Sequence, residues 1–353
     1  MSPVRERYAG LDSSRGLAAL MVFFVHFLKI YFPALSQSHL LNHTPAHILI
    51  DGDAAVLYFF ILSGYVLTIS MKNEHTGMRY FIAYYARRIF RIYPAFIVTA
   101  LVTFLLINFL KNSSTSQWLH LYWQNSPTLH DLFSQLILIL RHPNDPALRL
   151  LPHDWTLTVE LFVSFLLPAL IITSRLRAEL VLLLSYVTIK VLPIDPFLFD
   201  FSIGVYLALK KEFLINQWKK LSVFGHVILC ILVVLIMEID QLNFDFVPVL
   251  KKVIIHPESW ALIYILISVL SSARLQRLLE RKPLLLLGKI SYSFYLFHLV
   301  ILAIVAINLP FLSPYLSLPL NLLLVTFTST FSYFLIEKPF MVAGSILSNR
   351  ING

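Results

Sequence analysis

Ten long apolar segments restrict the fold of this 353-residue chain more than any other feature. In order, they cover residues 16–35, 54–71, 92–110, 156–173, 179–193, 197–210, 223–238, 259–273, 291–308 and 318–337. About 20 apolar residues in a helix span the hydrocarbon core of a bilayer. Only 13% of the residues are charged, against about 25% in soluble domains. We therefore predict an all-α polytopic membrane protein with about ten transmembrane helices, formed as one transmembrane domain over residues 1–353.

The positive charges predict the orientation of the helices. Most of the 28 lysines and arginines fall in alternate connections, beginning with Arg5 and Arg7 before the first segment. Cytoplasmic connections of membrane proteins carry such an excess, so an even number of helices puts both termini in the cytoplasm. The net charge of +9 is then explained by topology. We expect the lipid bilayer as a partner and no nucleic acid.

The first apolar segment carries an arginine and a histidine in phase. Arg15 and His26 are eleven residues apart, about three helical turns and roughly 16 Å of rise, so they share a face. Arg15 would lie near the membrane surface and His26 about halfway across, where ionisable groups usually face a bundle interior. Asp12, three residues before Arg15, could orient the guanidinium. We predict that His26 and Arg15 are catalytic, His26 as a general base. The alternatives are a positive-inside anchor for Arg15 and a buried, hydrogen-bonded histidine for His26.

A basic cluster precedes the third apolar segment. Arg88 and Arg91 are neighbours at i, i+3, and Arg87 adjoins them. The planar guanidinium fork suits phosphate groups. The cluster therefore predicts a binding site for a phosphate-bearing co-substrate, with topology or anionic-lipid binding as the alternative.

An acidic residue lies inside the fourth apolar segment. Glu160 must be paired there or face a cavity, and we expect His26 or Arg15 as its partner. Trp155, at the outer end of the same segment, is five residues from Glu160, about 140° around a regular helix. The two side chains would share a face only if the helix is broken or begins after Trp155.

A polar stripe marks the ninth segment. Ser291, Tyr295 and His298 fall on one helical face, which predicts either substrate contact or a hydrogen-bond network that packs the helix. At the inner end of the last segment, Glu337 is predicted to pair with an inside arginine.

The longest connection, residues 111–154, is predicted to lie outside. Its aromatic residues Trp118, Tyr122 and Trp123 could stack on sugar rings or lie in the interfacial aromatic belt. Its histidines, among them His153, are interpreted as ordinary loop residues.

Several common enzyme motifs are absent from the sequence. It has no glycine-rich phosphate loop, no Cys or His metal spacing and no Gly-x-Ser-x-Gly motif. Its one cysteine, Cys230, can form no intramolecular disulfide. We therefore expect no metal and no permanently bound cofactor, and a diffusible co-substrate instead.

Six motifs in order resemble the acyltransferase-3 family of integral membrane acyltransferases. They are Leu11-Asp-Ser-Ser-Arg15 with His26, Phe59-Phe-Ile-Leu-Ser-Gly-Tyr65, Arg88-Ile-Phe-Arg91 with Tyr93-Pro94, Trp155 with Val159-Glu160, Ile290-Ser-Tyr-Ser-Phe-Tyr-Leu-Phe-His298, and Ile336-Glu-Lys-Pro339. Thr156 stands where serine is commoner in the family. The resemblance extends over nearly the whole chain.

The resemblance implies an O-acetyltransferase. It implies acetyl-CoA (acyl-CoA) as co-substrate, a glycan or glycolipid hydroxyl as acceptor, for example in O-antigen or peptidoglycan, and the bacterial inner membrane as location. Because some members carry a C-terminal esterase-like domain and this sequence ends at Gly353, we expect a stand-alone member without one.

A mechanism follows as a hypothesis. Arg87, Arg88 and Arg91 hold the phosphates of acyl-CoA, and His26 either deprotonates the acceptor hydroxyl or takes the acyl group itself. Glu160 orients the imidazole, and Trp155 shapes the acceptor end. The competing interpretations are a transporter or proton channel that uses His26 and Glu160, and a polytopic scaffold without catalysis.

Overall fold

The computed structural model of the protein describes residues 9–38, 44–71, 77–110, 117–120, 123, 127–138, 150–238 and 254–352. Within these ranges the regular structure is helical throughout and contains no strand, which confirms the all-α prediction. A helix satisfies its own backbone hydrogen bonds, and this property lets an apolar segment cross lipid.

The helices are numbered here in chain order over the described ranges. They are α1 (Ala9–Tyr31), α2 (Pro33–Ser36), α3 (Gly52–Met71), α4 (Met78–Leu110), α5 (Gln117–His120), α6 (Leu129–Leu136), α7 (Trp155–Ser174), α8 (Glu179–Val191), α9 (Phe197–Leu209), α10 (Lys211–Lys220), α11 (Val223–Met237), α12 (Glu258–Ser271), α13 (Ala273–Leu279), α14 (Lys282–Asn308), α15 (Pro314–Ser332) and α16 (Lys338–Asn352). A 3₁₀ turn at Pro45–Ile50 precedes α3, and a π-helical turn at Tyr333–Glu337 joins α15 to α16.

The described helices include six that are long and apolar enough to cross a membrane, or up to eight if two bent pairs each count as one span. The protein is therefore an integral membrane protein, but the predicted count of ten spans is not confirmed. The predicted fifth and sixth segments correspond to α8 and α9, which have 13 residues each. At 1.5 Å per residue each is about 20 Å long, shorter than a hydrocarbon core of about 30 Å. The location of both termini in the cytoplasm stays a prediction.

The two bends occur at serines that begin the next helix. The axis turns by 114° between α10 and α11 and by 86° between α12 and α13. The hydroxyl of Ser222 accepts a hydrogen bond from the Gly225 amide, and that of Ser272 accepts one from the Leu275 amide. Each serine thereby caps a new helix start, so the chain changes direction without leaving these backbone donors unpaired.

The described residues group into two compact units. The first unit contains those within Met1–Val22, Asn42–Ile69 and Thr173–Ser291, and the second contains those within Phe23–Leu41, Ser70–Ile172 and Tyr292–Gly353. Helices α1 and α14 contribute residues to both units. The single domain over residues 1–353 stays a prediction.

In the first unit, glycines let helices approach at backbone distance. A Cβ atom on Gly64 of α3 would overlap the Phe201 carbonyl oxygen of α9, and one on Gly204 would overlap the Ile61 carbonyl oxygen. A Cβ atom on Gly16 of α1 would lie 2.7 Å from the backbone nitrogen of Gly288 in α14. Because α1 and α14 touch here, the side chain of Arg15 can reach α14.

In the second unit, the π-helical turn places an acidic side chain in the interior. Glu337 is the last residue of this turn and is buried. Its carboxylate accepts a hydrogen bond of 2.9 Å from Ser293 Oγ on α14. A π turn adds one residue to the helical register, and such turns often occur at functional sites.

Candidate active site

Two imidazoles meet in the second unit. Nδ1 of His26, on α1, lies 2.9 Å from Nε2 of His298, on α14, and the ring centroids are 5.0 Å apart. His298 is fully buried. Three residues before His26, Phe23 packs against Phe294 of α14 with 5.9 Å between ring centroids. The predicted catalytic histidine is partly exposed and contacts a second, buried histidine, which is one of the three residues of the predicted polar stripe.

A third imidazole joins this pair and was not predicted. His153 lies in the turn before α7, with its ring centroid 4.9 Å from that of His298. Its Nε2 lies 3.2 Å from the Leu296 carbonyl oxygen, and its own carbonyl oxygen accepts a hydrogen bond of 3.0 Å from the Tyr295 hydroxyl. Burial and the neighbouring His298 lower the pKa of His153 well below its usual value, so the ring is neutral at neutral pH.

The interpretation of His153 as an ordinary loop residue is thus wrong. The ring is buried, and the Tyr295 hydroxyl also meets the Thr156 hydroxyl at 2.8 Å. Tyr295 therefore joins the turn that carries His153 to α14. A sequence signal did exist, because His153 lies two residues before Trp155 of a family motif.

Two tryptophans of the predicted outer connection have different surroundings. The ring of Trp118, on α5, lies 5.1 Å from that of His26, and the Lys29 ammonium lies 5.9 Å from the Trp118 ring centroid. Trp123 is buried and donates a hydrogen bond of 3.2 Å to the Leu150 carbonyl oxygen. Trp123 is therefore a core residue, neither exposed for sugar stacking nor in an interfacial belt. Tyr122 lies outside the described residues.

Arg15 is held within the first unit. Its Nε donates to Ser291 Oγ at 2.9 Å, and one Nη donates to Asp12 Oδ1 at 3.0 Å and to the Gly288 carbonyl oxygen at 3.4 Å. The predicted contact between Asp12 and Arg15 is confirmed, and Ser291 of the polar stripe is a second partner. The guanidinium plane is fixed by groups on both α1 and α14.

Glu160 is bonded to an arginine that was not predicted as its partner. In the second unit, its carboxylate accepts a hydrogen bond of 2.6 Å from Arg88 Nη2, which also donates to Ser164 Oγ at 2.8 Å. The His26 imidazole contacts His298, as described above. Sequence spacing did not show this, because Arg88 and Glu160 lie on different helices, 72 residues apart.

The other two residues of the basic cluster are also partnered. Arg91 meets the Glu337 carboxylate at 2.8 Å, which confirms the predicted pairing of Glu337 with an arginine. Arg87 donates to the Ser348 hydroxyl. Two of the three guanidinium groups are thus paired with carboxylates of described residues.

Trp155 is the first residue of α7. The helix includes both Trp155 and Glu160, so their side chains point about 140° apart. The helix begins at Trp155 and is continuous to Glu160, so the two side chains do not share a face.

Comparison with known proteins gives the family. A sequence profile described as an acyltransferase domain matches residues 8–338. Matching curated relatives include O-acetyltransferase OatA of Staphylococcus aureus strains NCTC 8325 / PS 47, COL and MRSA252. Each is 25% identical over 353 aligned residues, which cover 86% of this chain and 55% of the relative. The chain thus spans about half the length of these relatives, and no solved structure matches it.

The profile match extends over most of the chain and includes every residue of the histidine pair and the arginine cluster. The protein therefore belongs to the acyltransferase-3 family, which its sequence motifs resemble.

Proposed function

We propose that the protein is a membrane O-acetyltransferase that moves an acetyl group from cytoplasmic acetyl-CoA to a hydroxyl of a cell-envelope or exported glycan, in a bacterial inner membrane. Membership of the acyltransferase family and the likeness to proteins named O-acetyltransferase support this proposal. The structural observation that carries it is the contact between the partly exposed His26 and the buried His298. An imidazole held in this way suits proton transfer or nucleophilic attack near neutral pH.

In the direct form of the reaction, His26 is a general base. It removes the proton of the acceptor hydroxyl as the oxygen attacks the thioester carbonyl. A C–O bond forms, the C–S bond breaks, and the sulfur leaves with the electron pair. The imidazolium then returns the proton to the CoA thiolate, so His26 ends unchanged.

In the relay form, His26 is the nucleophile. A ring nitrogen attacks the thioester carbonyl, a C–N bond forms and the CoA thiolate leaves. The acceptor hydroxyl then attacks the acyl-imidazolium, a C–O bond forms and the C–N bond breaks. The hydroxyl proton goes to the thiolate or to water, and neutral imidazole is restored.

The donor end of the site is assigned to Arg87, Arg88 and Arg91. The phosphates of acetyl-CoA bind this cluster and compete with Glu160 and Glu337 for its guanidinium groups. In this proposal Glu160 acts on the arginine cluster through Arg88 and does not orient the His26 imidazole. Arg15, fixed by Asp12 and Ser291, supplies a further positive charge on the same helix as His26.

The acceptor end is assigned to aromatic residues. Trp118 presents an indole beside His26 and is partly exposed, a combination that suits a sugar ring. Trp155 is also assigned to the acceptor end, because it is the first residue of α7. Tyr295 supports the site through the turn that carries His153.

The competing proton-path function receives less support. It requires Glu160 to exchange protons with His26. Glu160 is bonded to the Arg88 guanidinium at 2.6 Å, and a proton path through Glu160 would have to break this ion pair.

Substitution of His26 tests the proposal. His26→Ala should abolish the release of CoA thiol from acetyl-CoA by purified protein in phospholipid nanodiscs. It should also remove the base-labile acetyl esters that expression of the protein adds to cell-surface glycans. The matched control is His226→Ala, because His226 lies on α11 against Tyr264. Full acetylation by a folded His26→Ala protein would contradict the function.

The arginine assignment has its own test. Arg88→Ala should weaken acetyl-CoA binding by at least about tenfold, and Arg88→Lys should recover only part, since lysine lacks the planar fork. Arg79→Ala, an exposed arginine on the same helix, is the control. Unchanged affinity in folded Arg88→Ala would assign the cluster to membrane topology.

A further inference from the structure

We propose that His298 is a positioning residue that fixes His26 in one tautomer, so that Nε2 of His26 is the atom that accepts the proton or the acyl group. The inference deepens the proposed function and rests on it. It is derived from the donors and acceptors along a chain of two contacts in the second unit.

The chain begins at a backbone carbonyl. Nδ1 of His298 lies 2.6 Å from the Tyr295 carbonyl oxygen. A carbonyl oxygen can only accept a hydrogen bond, so Nδ1 of His298 carries the proton and donates it. This contact joins residues three apart on α14, so the helix itself sets the orientation of the ring.

Burial assigns the other nitrogen of His298. The ring is fully buried, and a charged imidazolium is costly to bury in an apolar interior. Neutral His298 with its proton on Nδ1 has only a lone pair on Nε2. Nε2 of His298 is therefore an acceptor.

The second contact assigns His26. Its Nδ1 lies 2.9 Å from Nε2 of His298, and because that nitrogen accepts, Nδ1 of His26 must donate. In neutral His26 the basic lone pair is then on Nε2. The direct reaction takes up its proton at Nε2, and the relay forms its C–N bond there while Nδ1 keeps its hydrogen.

His153 restricts rotation of the His298 ring. Its Nε2 faces the Leu296 carbonyl oxygen and donates to it by the same argument. Its own Nδ1 is then a buried acceptor without a hydrogen-bond partner among the residues that the structure describes. With the His153 ring 4.9 Å away, a flip of His298 would lose the bond to Tyr295 and disturb this packing. The His298 orientation is thus fixed from two sides.

The experiment compares two substitutions of His298 in full-length protein in nanodiscs. Glutamine can place its Oε1 where Nε2 of histidine lies and still accept from His26, whereas phenylalanine fills the space without an acceptor. With acetyl-CoA as the probe, His298→Phe should lower kcat for CoA release by at least about tenfold, with KM changed less than threefold. His298→Gln should recover much of kcat. His226→Phe is the control.

A spectroscopic measurement reports the tautomer directly. In protein labelled with ¹⁵N-histidine, the signals lost in His26→Ala identify His26. In wild-type protein these should show hydrogen on Nδ1, and His298→Phe should give a mixture of tautomers. Hydrogen on Nε2 in the wild type would overturn the inference even if no His298 variant folds.

The outcomes separate this inference from the proposed function. Loss of activity in His26→Ala together with full kcat in folded His298→Phe would leave the enzyme assignment intact and remove the positioning role. An inactive wild-type protein that nevertheless shows hydrogen on Nδ1 of His26 would contradict the proposed function and leave the tautomer assignment intact.

Discussion

Arg88 binds Glu160 and Ser164 through a single nitrogen, at 2.6 and 2.8 Å. The two acceptors are four residues apart on α7, one helical turn, so a side chain from α4 is held against one face of α7. Both charged side chains are largely withdrawn from water, with 12% of Arg88 and 27% of Glu160 exposed. The pair therefore fixes the packing of two helices as well as the charge of the basic cluster.

Removing one partner of this pair should destabilise the protein more than removing both. Glu160→Gln alone leaves the Arg88 guanidinium without its counter-charge, and Arg88→Met alone leaves the Glu160 carboxylate without its counter-charge. Each change should cost roughly 3 kcal/mol of stability. The double variant should lose clearly less than the sum of the two. Unfolding in detergent, followed as a double-mutant cycle, measures the coupling, and strictly additive losses would argue against the pair.

The close approach of α1 and α14 should be sensitive to one methyl group. In Gly288→Ala, the added Cβ atom would lie 2.7 Å from the Ser13 backbone nitrogen, so the helices must separate and Arg15 should lose its bond to Ser291. CoA release should fall by at least about tenfold if Arg15 is catalytic. Gly77→Ala is the control, because no atom lies within 4 Å of an added Cβ there. Unchanged activity in Gly288→Ala would remove Arg15 from the mechanism.

His256 should make the stability of the first unit depend on pH. Its Nδ1 lies 2.6 Å from the buried carboxylate of Asp200. Burial lowers the pKa of His256, but the hydrogen bond and the charge of Asp200 outweigh it, so the pKa is raised. The folded state therefore binds the proton more tightly than the unfolded state. The stabilisation should be full below pH about 6.5 and be lost as the pH rises through the higher folded value.

Melting temperatures in detergent as a function of pH measure this contribution. The difference in melting temperature between wild type and His256→Gln should be largest just below pH about 6.5, while Asp200 is ionised, and should shrink as the pH rises above that value. His226→Gln serves as the control for the loss of a histidine. A difference that grows as the pH rises above about 6.5 would show that folding does not raise the pKa of His256.

The two tryptophans should respond differently to alanine. Trp123 is buried and bonded to Leu150, so Trp123→Ala should cost about 3–5 kcal/mol of stability. Trp118 is partly exposed beside His26, so Trp118→Ala should reduce glycan acetylation and change the melting temperature little. Thermal unfolding and acetyl-ester content, measured on both variants, test the contrast. Equal losses of stability would place Trp118 in the core as well.

Sequence reasoning succeeded where the contact is local or lies at a helix end. The spacing of Asp12 and Arg15 determines their contact, because residues three apart on a helix are neighbours. Glu337 needed a cation because it lies in an apolar segment, and basic residues were available on the same predicted side. Helix periodicity also placed Ser291, Tyr295 and His298 on one face, and all three have the side-chain contacts described above.

Sequence reasoning failed where the partner of a side chain depends on tertiary packing. Periodicity gives the face of a helix but not the residue that the face meets, so the bond between Glu160 and Arg88 of α4 was not predicted. His153 lies in a turn, where no periodicity indicates burial. The predicted count of ten spans is not confirmed, because composition marks an apolar run regardless of its helical length, as the 13-residue helices α8 and α9 show.

The π-helical turn at Tyr333–Glu337 has an evolutionary consequence. Its extra residue shifts the helical register by about 100°, and this register brings Glu337 to Arg91 and Ser293. A relative with a regular helix here should have one residue fewer between its counterparts of Ser332 and Lys338. To keep the ion pair, that relative would need its acidic residue at a neighbouring position, so a single-residue gap and a displaced glutamate should be inherited together.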